Sequence, residues 1–137
     1  MIVSASLIPL VIAGVFIVIA YNLELFGGRF HSDFWFATAW GAFPAFTSYW
    51  ANALSIDAAG LLMTGACFGL SAAQRRLSTP VRELRRRTVS VSGEQRLMGG
   101  DVIELSKARL AAPLDGALRA LSVAIVLLAT ALVVVRL

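Results

Sequence analysis

Four apolar segments, at about residues 5–22, 34–53, 57–74 and 117–135, constrain this chain more than any other feature. A helix needs roughly 20 mostly apolar residues to cross the hydrocarbon core of a bilayer. The chain of 137 residues is 58% hydrophobic and 15% charged, whereas soluble domains average about 45–50% and about 25%. The sequence therefore predicts an all-α fold, a polytopic membrane helical bundle forming a single membrane domain over residues 1–137.

A cationic stretch follows the third apolar segment. It covers residues 74–87, reads QRRLSTPVRELRRR, and carries six arginines against the single acid Glu83. We call it the arginine-rich stretch. Short loops rich in Arg and Lys stay in the cytoplasm, so we expect a protein integral to the cell membrane, with loops 23–33 and 75–116 cytoplasmic and both termini outside. The alternative is that the stretch acts only as a topology anchor.

Small residues and one proline mark the middle spans. Ala37, Gly41 and Ala45 recur at every fourth position, and Gly65 and Gly69 form a GxxxG pair. Such residues let helices approach closely. The pair favours packing within the bundle over a dimer contact, although the small faces also predict self-association or a partner membrane protein. In the second span Pro44, which has no N–H, predicts a kink.

The segments between the spans carry turn and capping signals. Ser32 or Asp33 is expected to cap the second span, and Asp57 the third. Residues 88–91 alternate as a strand does, residues 98–101 supply a turn and residues 102–105 a return strand. This predicts a small hairpin, with an irregular loop as the alternative. Ser106 is expected to cap a short helix at residues 107–112, and Pro113 to start the last helix.

Charged side chains at the helix ends complete the expected arrangement. Asp115 and Arg119 have the i,i+4 spacing of an ion pair. Arg136 follows the last apolar run.

Several function classes lack their usual residues. Cys67 is the only cysteine and His31 the only histidine, which argues against a disulfide, a multi-cysteine metal site and a catalytic triad. No Walker-type glycine loop occurs, and no charge lies in the middle of a predicted span, as a transport path would require. The basic residues are not interleaved with aromatic ones, so nucleic acid is not an expected partner.

Three segments in order resemble part of the UbiA-like membrane prenyltransferases. They are AYNLELFGGRF at residues 20–30, GAFP at 41–44 and SAAQRRLSTPVRELRRRTVSVSG at 71–93, within a resemblance that covers roughly residues 15–93. It implies a C-terminal-like portion of a transferase of alkyl groups that handles an isoprenoid diphosphate at the cytoplasmic face, with magnesium as cofactor. After Gln74, however, Arg75, Thr79 and Glu83 stand where the family's motif has Asp, Asp and Gly.

Two function hypotheses remain. The first is a prenyltransferase-like protein, either part of a longer enzyme or a branch without metal-dependent chemistry. The second is a non-catalytic membrane scaffold or accessory subunit that binds anionic lipid through the arginine-rich stretch. Catalytic residues are not identified. The ligand-binding candidates are Tyr21, Asn22, Glu24, Arg29, Asp33, Gln74, Arg75 and Arg82. Glu24 and Asp33 are also candidates to hold a metal, although these acids could simply neutralise arginines.

Overall fold

A computed structural model describes residues 5–135, and they are mostly helical. Arg136 and the terminal residues, which are predicted to be outside, are not among them. The elements in chain order are a 3₁₀-helix Ala5–Leu7, α1 Ile8–Asn22, α2 Leu25–Gly28, α3 Asp33–Ala37, a π-helix Thr38–Ala42, α4 Phe43–Ala53, α5 Ala58–Arg86, β1 Glu94–Arg96, β2 Val102–Glu104 and α6 Lys107–Val134. The chain divides after Arg75 into two compact units.

In the first unit, α1 packs antiparallel to the helical segment of residues 33–53. Near the start of α1, Ser6 Oγ accepts a hydrogen bond of 3.2 Å from Nε1 of Trp50. Midway along α1, Gly14 lies against the ring of Phe43. Residue numbers rise along α1 while they fall along the segment that it contacts, so the two are antiparallel.

The segment of residues 33–53 also packs antiparallel to the first part of α5. Near one end the rings of Phe34 and Phe68 are 5.5 Å apart. Near the other end Gly60 lies against Tyr49, since a Cβ at Gly60 would meet the tyrosine ring at 2.5 Å. The residues before Arg75 therefore form three helical rods that alternate in direction.

Gly41 lies at a close helix crossing, and the expected packing role of Gly65 and Gly69 needs correction. A Cβ at Gly41 would lie 2.5 Å from the carbonyl oxygen of Cys67, so only glycine fits. Gly65 and Gly69 have open space around them among the described residues. Each residue of a helix is rotated by about 100° from the last. Residues two positions from Cys67 therefore lie on the opposite side of α5.

The expected irregularity at Pro44 takes the form of a π-helix. Proline cannot donate a hydrogen bond to the carbonyl of Trp40. In the preceding π-helix the N–H of Phe43 bonds to the carbonyl of Thr38, five residues back, and this shifts the pairing by one residue. The helix continues through Ala53.

The capping predictions for the two middle helices are confirmed. Ser32 Oγ accepts from the N–H of Trp35, which selects Ser32 over Asp33 as the cap of α3. Asp57 Oδ1 accepts from the N–H of Gly60 at 2.9 Å at the start of α5.

The predicted cytoplasmic connection, residues 75–116, is helical at both ends, and most of the arginine-rich stretch belongs to α5. α5 continues to Arg86 with Pro80 inside it, and α6 begins at Lys107 with Pro113 inside it. Ser106 caps α6 as expected, since its Oγ accepts from the N–H of Arg109. The short helix at residues 107–112 is thus the first part of one 28-residue helix.

The predicted hairpin is present, but its first strand is placed differently. β1 pairs antiparallel with β2, with Gln95 opposite Ile103. Residues 88–91, which alternate as a strand does, form none. The turn lies between Leu97 and Asp101, whose backbone groups pair at 2.9 Å. A short turn fixes which residues of the two strands can pair. The first strand must therefore lie directly before the turn, where β1 is.

Two of the described helical segments are long and apolar enough to cross a membrane. Ala5–Asn22 has a mean hydropathy of 2.2 and Lys107–Val134 reaches 2.4 over its most apolar part. The helices between them include Trp, Tyr, Ser, Thr and Gly residues, which lower the hydropathy. The large aliphatic side chains of α1 and of the second half of α6 are mostly exposed, and the buried hydrophobic residues are few.

Candidate functional site

Several of the predicted site residues meet around Tyr21, in the last turn of α1. The Tyr21 residue is 9% exposed, and its ring stacks on the His31 imidazole with centroids 4.7 Å apart. His31 Nδ1 lies 3.3 Å from the Tyr21 carbonyl oxygen. Carbonyls in the last turn of a helix lack intrahelical donors. In the tautomer that protonates Nδ1, His31 therefore caps the end of α1.

Aromatic rings from the next helix complete the surroundings of Tyr21. The ring of Phe36, on α3, is 6.2 Å from the Tyr21 ring. The ring of Trp40, on the π-helix, meets it edge to face at 6.3 Å. Such arrangements place the positive ring edge against the negative ring face. The side of the site formed by α3 and the π-helix is therefore aromatic.

An ion pair lies beside this aromatic cluster. Nε of Arg75 donates to Asp33 Oδ1 at 3.0 Å, and the guanidinium carbon of Arg75 lies 4.9 Å from the centre of the Phe36 ring. The Arg75 side chain is 18% exposed and that of Asp33 67%. A cation that is largely removed from water needs such partners. The carboxylate and the ring therefore hold Arg75 at the rim of the cluster.

The loop after α1 brings Glu24 towards His31. Glu24 Oε1 is 3.9 Å from His31 Nδ1. The backbone at Glu24 has a φ of 49°, and Gly27 and Gly28 follow with φ of 69° and 75°. Glycine adopts this left-handed region without a steric penalty, so the glycine pair suits the turn that folds the loop back.

The remaining candidate residues do not join the cluster. The Asn22 amide donates to the Val18 carbonyl of its own helix at 2.8 Å. Arg29 and Gln74 are exposed. Arg82 belongs to the second unit and donates to Thr79 Oγ1 at 3.4 Å. Of the eight candidates, the cluster therefore contains Tyr21, Glu24, Asp33 and Arg75.

His31, Phe36 and Trp40 take part in the cluster although they were not among the candidates. The four-residue spacing of Phe36 and Trp40 places both on one side of a helix, which is a signal visible in the sequence. For His31 the only signal was that it lies in the same loop as Glu24 and Asp33.

The two predicted metal ligands have other partners in this structure. Asp33 bonds to Arg75, and Glu24 lies near His31. Within residues 5–135 no group of three or more His, Cys, Asp or Glu side chains could hold a metal ion. The geometry is that of an acid and a base neutralising each other, which was the alternative interpretation of these loops. An anion reaching Arg75 has to compete with the Asp33 carboxylate.

Comparisons of the sequence and the fold with protein-family models, with curated proteins and with solved structures find no match. The cluster and the fold themselves define the protein only as a helical protein with two helices able to cross a membrane.

Proposed function

We propose that this chain is an integral membrane protein with four spans, at about residues 5–22, 34–53, 57–74 and 117–135, and that it binds anionic lipid headgroups at the cytoplasmic face without catalytic turnover. The observation that carries the proposal is the continuity of α5. This helix runs from an apolar, glycine-containing first half directly into the arginine-rich stretch. If the first half of α5 is embedded in a membrane, the arginines that follow it on the same helix lie next to the lipid headgroups.

The exposed apolar surface supports a membrane environment. Side chains along α1 and α6, such as Ile12 and Leu127, are about two-thirds exposed. Soluble monomers rarely show continuous apolar surfaces of this kind. Lipid would cover these side chains, and the alternating direction of the rods in the first unit suits three consecutive crossings.

The charge distribution supports anionic lipid as the partner. Arg76, Arg82 and Arg86 are exposed on α5, and the chain carries a net charge of +4. Each Arg near an anionic membrane surface contributes about 1 kcal/mol of attraction. This attraction does not need a shaped pocket, and it weakens with salt.

A lipid-binding titration tests the proposal. The purified protein in detergent micelles is titrated with dansyl-labelled phosphatidylglycerol or phosphatidylcholine, and energy transfer from tryptophan reports binding. We expect binding to phosphatidylglycerol to be tighter at about 0.1 M salt and to lose most of this advantage at about 0.5 M. The variant R76Q/R82Q/R86Q should bind about 100-fold more weakly, at about 1 kcal/mol per arginine.

A matched variant controls for net charge. R29Q/R96Q/R109Q removes the same charge from residues outside the arginine-rich stretch, and it should weaken binding less. Equal binding of the two lipids by the unmodified protein at low salt would reject the proposal.

A second candidate function is binding of an isoprenoid diphosphate at the Tyr21 cluster. It is favoured by the proximity of Tyr21, Asp33 and Arg75, residues from segments that resemble prenyltransferases. Arginine binds phosphate oxygens bidentately, and Glu24 and Asp33 would reach a magnesium ion on the diphosphate only by leaving His31 and Arg75. Farnesyl diphosphate binding that requires magnesium and is lost in R75Q supports this function. Equal, metal-independent binding of any anionic lipid leaves only the first.

A further inference from the structure

A groove of about 600 Å³ in the second unit lies between the end of α5 and the start of α6. Its walls carry three cations, Arg85, Lys107 and Arg119, and one carboxylate, Asp115. Its remaining residues are mostly small, and they are Ala108, Ala111, Ala112 and Gly116, with Leu84. The small side chains leave the groove unfilled, and its cations outnumber its single carboxylate by two. The groove therefore suits an anion.

Asp115 positions one of these cations. Asp115 Oδ2 accepts a hydrogen bond of 2.6 Å from Nη2 of Arg85. The i,i+4 spacing predicts Arg119 as the partner of Asp115, and this prediction is wrong, because the observed partner is Arg85. The Asp115 side chain is 23% exposed. Arginine has five N–H donors, so a guanidinium fixed by one carboxylate retains others. Arg85 is thus held at the groove with donors to spare.

Along α6, the cation Arg119 lies nearer to Asp115 than the cation Lys107 does. Arg119 follows Asp115 by four residues, which is about 6 Å along the helix, whereas Lys107 precedes it by about 12 Å. Long helical side chains lean towards the N-terminus of their helix, which directs Arg119 towards Asp115 and Arg85. Arg85 and Arg119 therefore line the same part of the groove, and Lys107 lies further along it.

The apolar part of α6 starts immediately after Arg119. From Ala120 to Val134 the helix carries no charged residue, and these residues make up most of the fourth span, at about residues 117–135, in the proposed topology. Arg119 lies near the start of that span, where lipid phosphates are. The ligand chemistry is a phosphate group, and this position favours the phosphate of a lipid over a free phosphate ester.

We infer that the groove between α5 and α6 is a discrete phosphate site that holds the headgroup of one anionic lipid between Arg85 and Arg119. This rests on the proposed function and deepens it, because it adds a shaped site to a diffuse attraction. Diffuse attraction between exposed charges is screened at high salt, whereas a partly enclosed, hydrogen-bonded pair is screened much less. Retention of lipid at high salt therefore separates the two.

The test measures lipid that survives a high-salt wash. The full-length protein in detergent is loaded with phosphatidic acid, washed at about 0.5 M salt, and the lipid retained per protein is counted by mass spectrometry. The unmodified protein should retain about one molecule. R119Q should lose at least about tenfold in retention, as loss of one hydrogen bond to a charged group predicts, and K107Q should lose less.

Two kinds of variant make the outcome decisive. G116L changes no charge, and a Cβ at Gly116 meets open space, so it fills the groove without strain and should also abolish retention. R96Q and R109Q remove equal charge from residues that do not line the groove, and they should retain the lipid. Circular dichroism checks that each variant is folded.

The possible results distinguish this inference from the proposed function. If the unmodified protein retains no lipid at high salt, or if R96Q and R109Q lose it as R119Q does, the phosphate site is rejected while salt-sensitive binding at low salt can still stand. Displacement of the retained lipid by glycerol 3-phosphate would show that the site takes a free phosphate ester as well. Failure of that ester to displace it supports the lipid as the source.

Discussion

Asp33 and Arg75 form an ion pair of 3.0 Å although they are 42 residues apart in the sequence. The pair joins the first residue of α3 to α5, at the place where the first unit ends. Because Arg75 also lies over the Phe36 ring, one side chain connects an acid, an aromatic cluster and the start of the arginine-rich stretch.

Removing this pair should destabilise the first unit modestly. D33N leaves a partly buried guanidinium without its carboxylate, and R75Q removes the guanidinium itself. A double-mutant cycle should give a coupling of about 0.5–1 kcal/mol, since Asp33 is largely exposed and water weakens the attraction. Thermal unfolding in detergent measures it. D101N, at an exposed turn, is the matched control and should behave as the unmodified protein; a coupling of zero would contradict a stabilising role.

The stack of His31 on Tyr21 gives a second prediction. H31F keeps an aromatic ring on Tyr21 but loses the nitrogen that faces the Tyr21 carbonyl, whereas H31A loses both contacts. We expect H31A to cost about 1 kcal/mol more in unfolding free energy than H31F, because aromatic pairs contribute about 0.5–1.5 kcal/mol. Thermal unfolding of the two variants side by side measures the difference. An equal or smaller cost for H31A would show that the ring contact with Tyr21 does not stabilise the fold.

The glycines provide a matched pair of substitutions for the packing of the first unit. G41L forces a side chain against the backbone of α5 at Cys67, and overpacking of this kind costs about 1–3 kcal/mol or more. G65L places the same side chain in open space and should leave the unfolding temperature nearly unchanged. Unfolding and size-exclusion profiles in mild detergent compare them. Equal damage from both variants would mean that the Gly41 crossing is not the close contact described here.

Some of this fold follows directly from local sequence. The first predicted span, residues 5–22, matches the helical segment Ala5–Asn22, because an uninterrupted aliphatic run leaves no competing signal. The caps at Ser32 and Asp57 follow from short polar residues placed just before apolar runs. These features depend on residues within one or two turns of each other.

Other features depend on distant residues and are not visible locally. Ser78, Thr79 and Pro80 resemble a helix break, yet α5 continues through them. Six arginines follow one another closely, and nothing local indicates that Arg75 bonds to Asp33 or that Arg85 bonds to Asp115. Such pairings are decided by how helices cross, which hydrophobic periodicity does not specify.

In the proposed topology the chain crosses the membrane with the arginine-rich end of α5 in the cytoplasm. Single cysteines at Ser55 and at Glu94, both exposed, on a Cys67→Ala background test it most directly with a membrane-impermeant maleimide. In intact cells S55C should be labelled and E94C should not, and permeabilised cells should label both. Labelling of E94C in intact cells would place this end of α5 outside and contradict the proposed topology.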